Sequence, residues 1–143
     1  MNRWIAATVV VALGVGVAFA DSDPIKDRRA LMKANGEATK TVVGMLKGAP
    51  FDLTAVKAAL KTYGNAAANM PKLFPDSSRT GDTHALPEIW ENKADFEARF
   101  KKFGDDASVA STAIVDEASF KANMPNVFKN CGGCHEKYRA KLN

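Results

Sequence analysis

The sequence predicts an all-α chain folded as an antiparallel, up-down-up-down four-helix bundle. Three observations carry that expectation. Apolar residues recur every three or four positions through most of a chain rich in alanine and lysine. Proline and glycine cut the chain into four such stretches. Little of it shows the alternation of a strand, and the mostly short connections place successive helices antiparallel.

The first twenty residues, MNRWIAATVVVALGVGVAFA, stand outside this pattern. Arg3 provides a positive start, residues 4–17 an apolar run, and Ala18-Phe19-Ala20 a small-residue cleavage site. The run is too short and too weakly flanked for a convincing membrane span. The expectation is a signal peptide removed on export to the periplasm, with no stable membrane insertion after cleavage. The general secretory route is implied, since the segment holds no twin-arginine pair. Residues 21–143 then form a single domain, long enough to bury one core.

Asp23 and Pro24 open the first helix as N-cap and N1 residues. Its seam runs Ile25, Arg28/Arg29, Met32, Asn35, Thr39, Val42/Val43 and Leu46, and Gly48-Ala49-Pro50 stops it. Asp52 caps the second, whose seam is Leu53, Val56, Leu60, Tyr63, Ala67 and Met70 before Pro71 ends or bends it. Residues 73–87 read as a loop. The third helix follows Pro87 as one piece, with Ile89, Trp90, Phe96, Phe100, Phe103, Ala107, Ala110 and Ile114 on its seam. Gly104 inside it implies a penalty of about 1 kcal/mol relative to alanine. Asp116 caps the fourth, whose seam runs Phe120, Met124, Val127, Cys131, Cys134 and Tyr138. Pro125 should kink or restart that helix.

Lysine and arginine number 20 against 16 acidic residues, with no basic run of the kind that marks nucleic-acid binding. No substrate pocket or acid–base pair is implied, so an enzyme is not expected.

The chemistry concentrates in NCGGCHEKYR, residues 130–139, which holds the chain's two cysteines. A disulfide between Cys131 and Cys134 would close a tiny loop and stabilise little. On a helix, Cys131, Cys134 and His135 share one face at i, i+3 and i+4. A structural zinc site wants four ligands, and only His84, in a loop, is left to complete the set. A thioredoxin-like couple belongs at a helix N-terminus beside a βαβ unit, not at the end of a helix in an all-helical chain. The remaining reading is C-x-x-C-H, the attachment signature of c-type haem. Both thiols become thioethers to the haem, and His135 becomes the proximal ligand to its iron.

A sixth ligand must come from elsewhere. Met124 lies on His135's own helix, about 16 Å along the axis, and cannot oppose it. Met45 falls near the far end of the bundle. Met32 and Met70 both fall at the haem end, and topology leaves them level. His84 is free to move with its loop.

Three segments carry a family resemblance that spans nearly all of residues 21–143: RRALMKANG from Arg28, PEIW from Pro87 and CGGCHEKYR from Cys131. The chain resembles the cytochrome c′ family, the class II c-type cytochromes, whose fold is known to be a four-helix bundle. LMKANG and PKLFPDS look like its low-spin branch, the cytochrome c-556 and c-554 type. That resemblance implies one haem c and its iron, with Met32 as the distal ligand in place of Met70. It implies a propionate contact from Arg28, against a solvated arginine at a helix start. Arg29 takes a position often held by glutamine, and Arg139 matches an arginine that shields the proximal side or is surface charge. The loop before PEIW departs in length from many relatives, so Asp82 and Thr83 are given no propionate role. The implied function is electron transport between redox partner proteins. The alternative is a high-spin, five-coordinate cytochrome c′ that binds nitric oxide or carbon monoxide. A homodimer through the first two helices is open to such a chain.

Overall fold

The computed structural model describes residues 23–141. The proposed signal peptide, residues 1–20, lies outside them. Among the described residues there are five helices, no strand and one isolated antiparallel bridge, between Ala85 and Arg139. Four of the helices are long and form the bundle.

α1 is Pro24–Leu46. The Asp23 carboxylate accepts from the amides of Ile25 and Lys26 at 3.0 and 3.1 Å, which satisfies two donors of the first turn. At the other end Gly48 takes φ +107°, a region that favours glycine. That turn lets Ala49 N–H reach Gly44 O at 3.0 Å and Gly48 N–H reach Met45 O at 3.2 Å, closing the helix in a Schellman motif. α2 is Leu53–Asn69, with Asp52 accepting from Ala55 N–H at 3.0 Å. Pro71 tightens the continuing chain into a 3₁₀ turn, Met70–Leu73, and a second such turn follows at Asp76–Ser78.

The single third helix expected after Pro87 is two. α3 is one turn, Glu88–Glu91, and α4 is Lys93–Ala113. Asn92 breaks them apart at φ −123°, ψ 46°. Trp90 and Phe96 are six residues apart, out of step with a 3–4 rhythm, and the break re-phases the chain so both can pack. Trp90 Nε1 donates to Phe74 O at 3.0 Å, and Phe96 is buried.

α5 is Glu117–Tyr138, opened by a reciprocal cap. Ser119 N–H donates to the Asp116 carboxylate at 2.8 Å, and Asp116 N–H to Ser119 Oγ at 3.0 Å. The helix runs through Pro125 without restarting. Pro125 is exposed, so water can meet the Lys121 carbonyl that loses its partner.

The core is built from the predicted seams, with Tyr63, Phe120, Met124 and Ile114 almost wholly buried. Met45 rather than Leu46 is buried at the end of α1. α1 packs on α2, α2 on α4 and α4 on α5. α1 and α5 touch little, and a cavity separates them toward one end. Met32, Asn35 and Thr39 of α1 are therefore only half-buried.

Candidate functional site

The end of α5 presents Cys131, Cys134 and His135 on one half-buried face, as the i, i+3, i+4 spacing requires. All three line the cavity, whose volume is about 520 Å³ and whose walls are mainly apolar. That lies within the roughly 300–1,000 Å³ of cofactor and ligand sites. Met32 and Met70 line it too, and Met124 and Met45 do not. Phe96, Phe100 and Phe103 of α4 form much of the floor.

Both cysteines are free thiols. Burial pushes the Cys131 thiol up, and it does the same to Cys134 with partial opposition from the Arg99 charge. These walls favour neutral sulfur, the opposite of a zinc thiolate or a low-pKa redox couple. Burial pulls His135 down, helped by the nearby Arg139 charge, and so favours the neutral imidazole that ligates a metal. Among the described residues, no three His, Cys, Asp or Glu side chains gather as a set able to hold a metal ion. The zinc reading thus lacks its donors.

Arg28 is 5% exposed in the cavity wall and makes no ion pair with a carboxylate among the described residues. It is not a solvated arginine. Its four terminal N–H groups donate to Leu73 O, Ser78 Oγ, Ser78 O and Thr83 Oγ1 at 2.9–3.1 Å. Arg29 is exposed and pairs with Asp82 at 2.6 Å. His84 is exposed on the cavity rim. Its backbone is not free to move with the loop, because Ala140 N–H donates to His84 O at 2.8 Å. Arg139 lies on the same rim, with its own N–H on His135 O at 3.2 Å.

A cluster that sequence reasoning missed braces the cysteine-bearing end of α5. Asp95 of α4 accepts from the Tyr138 hydroxyl, from Arg99 Nε at 2.8 Å and from Lys137 Nζ at 3.1 Å. Those three donors, Tyr138 foremost, hold the Asp95 carboxyl well below the usual carboxylate range. Arg99 reaches on to Gly133 O, between the cysteines, at 3.1 Å. The i, i+4 spacing of Asp95 and Arg99 was visible in the sequence, but their partners on α5 lie about forty positions further on.

The residues fit a covalently held haem. The cavity is mainly apolar, one wall offers two thiols and an imidazole, and another holds a buried cation that makes no ion pair among the described residues. Asn35 Oδ1, on the cavity-lining face of α1, is buried without a hydrogen-bond partner.

Comparison with known proteins agrees with this chemistry. The family model described as Cytochrome C′ matches residues 23–139. A cytochrome c′ from Rhodopseudomonas palustris is 47% identical over 92% of this chain and 92% of its own. A cytochrome c-556 from Agrobacterium fabrum is 37% identical over 95% and 93% respectively. The solved cytochrome c′ from Rhodopseudomonas palustris superposes with a TM-score of 0.82 at 46% identity, covering 85% of this chain and 99% of that one. Relatives of both names span the chain, so the choice between branches turns on the distal residue and not on overall likeness. The chain belongs to the cytochrome c′ family, four-helix-bundle proteins that carry covalent haem c with its iron.

Proposed function

We propose that this protein is a periplasmic electron carrier whose single haem is attached through Cys131 and Cys134, with its iron held between His135 and Met32. The supporting observation is the placement of Met32. It lines the same cavity as His135, on a helix that packs little against α5. Met70 also lines the cavity, but it is 0% exposed and embedded in the core, so its side chain is already engaged in packing. When bound, the haem supplies a one-electron ferric–ferrous couple. The protein's part is to hold both axial groups in place through that change, which keeps reorganisation small. A thioether favours the softer ferrous state and raises the potential relative to two nitrogen ligands. Arg28 places a buried positive charge in the cavity wall, and its Nε–H, the donor not engaged by the loop, would be left to meet a haem propionate. Redox proteins are the partners, a homodimer through α1 and α2 is the family-like assembly, and no enzymatic role is assigned.

The likeness to a cytochrome c′ supports a second reading. In it Met32 only packs over the haem, and the open iron site takes nitric oxide or carbon monoxide. Substitution separates the two. Met32→Ala should convert low-spin ferric protein to high spin, and Met70→Ala should leave it low spin. A spectrum unmoved by Met32→Ala removes Met32 as the ligand.

A further inference from the structure

The helices that carry Met32 and His135 hardly pack on each other, so helix packing alone does not set the width of the cavity between them. A different element spans it. Residues 73–87 leave α2, cross the start of α1 and meet the end of α5. At the α1 side all four terminal N–H groups of Arg28 end on this strap, on Leu73 O, Ser78 Oγ, Ser78 O and Thr83 Oγ1. The guanidinium also lies 4.6 Å from the centroid of the Phe74 ring. Ser78, 2% exposed, is with Arg28 one of the two buried polar or charged residues among those described. Gly81, at φ +120°, lets the strap press close, since a Cβ there would sit 3.1 Å from Ile25 Cδ1 of α1. At the α5 side Leu86 N–H donates to Tyr138 O at 3.1 Å, and Ala140 N–H to His84 O at 2.8 Å. Thr83 Oγ1 joins the two ends, accepting from Arg28 and, at 3.1 Å, from Ala85 N–H.

We propose that Arg28 is a positioning residue. It clamps this strap between α1 and the end of α5, and so holds Met32, one helical turn further along, level with His135. The placement of Met32 rests on its reading as the distal ligand. A contact to the haem's periphery would use the arginine's charge. The clamp uses the fork geometry of its terminal N–H groups, which lysine cannot reproduce.

Ser78→Ala and Thr83→Val test the clamp while leaving Arg28 in place. Each removes one acceptor of a charge-assisted hydrogen bond, buried at Ser78 and part-buried at Thr83. The amides of Leu86 and Ala140 should then exchange with solvent about ten- to a hundredfold faster in the holoprotein, the range such a bond implies. The ferric protein should lose part of its methionine-to-iron charge-transfer intensity. Arg28→Lys should reproduce both effects despite keeping the charge. Unchanged exchange in all three variants overturns the clamp. If the native ferric protein is high spin, the Met32 reading fails while exchange still judges the clamp. If it is low spin and exchange does not move, the clamp fails and the Met32 reading stands.

Discussion

Gly64 and Gly104 lie inside α2 and α4, and changing each to alanine should move stability in opposite directions. Glycine within a helix is less favourable than alanine by about 1 kcal/mol, so propensity alone predicts that both changes stabilise. At Gly64 nothing lies within 4 Å of an added Cβ, and the full gain should appear. At Gly104 an added Cβ would sit 3.1 Å from Ala67 Cβ. That neighbour is a methyl fixed directly to the α2 backbone and cannot swing aside, so the two helices must separate by a few tenths of an ångström. Overpacking of this kind costs about 1–3 kcal/mol, which leaves Gly104→Ala neutral to about 2 kcal/mol destabilising. For a domain of this size about 1 kcal/mol moves Tm by roughly 4 °C. Thermal unfolding followed by far-UV circular dichroism should raise Tm for Gly64→Ala and lower or hold it for Gly104→Ala. A gain at Gly104 equal to that at Gly64 would refute the close approach of α2 and α4.

Two further outcomes follow. Phe120 is 0% exposed, packs 5.5 Å from the Phe51 ring and lies outside the haem cavity. Phe120→Ala should therefore lose about 3–5 kcal/mol in urea unfolding without altering the visible spectrum; a loss below about 1 kcal/mol contradicts its place in the core. Asp95 has a folded pKa depressed by Tyr138, Arg99 and Lys137, so its contribution is fully present above the unfolded carboxylate value of about 3.9 and fades as pH falls through the lower folded value. The urea midpoint of the native protein should exceed that of Asp95→Asn at pH 7, and the gap should close in acid; a gap that widens in acid is inconsistent with the bracing role.

What could be read from the sequence follows the range of each interaction. The caps at Asp23, Asp52 and Asp116 were legible because a cap bonds to amides only two or three residues away. The C-x-x-C-H face was legible for the same reason, since all three groups sit within one and a half turns of one helix. The break at Asn92 was foreshadowed only by the six-residue step from Trp90 to Phe96. Arg28 and Asp95 have local signals compatible with ordinary surface charge. Their partners lie in other elements, Ser78 and Thr83 in one case and Tyr138 and Lys137 in the other. Gly104 reads in the sequence as a plain helix weakness, because Ala67, the neighbour that crowds it, lies on another helix. Met32 and Met70 could not be ranked by topology, and the fold brings both to one cavity.

In the proposed site Met32, on α1, faces His135 across the cavity that both residues line, as the second iron ligand. The electron paramagnetic resonance spectrum of the native ferric protein tests it most directly. A rhombic low-spin signal, accompanied by the methionine-to-iron charge-transfer band in the optical spectrum, is the predicted result. An axial high-spin signal, with ready binding of nitric oxide by the ferrous form, would contradict it.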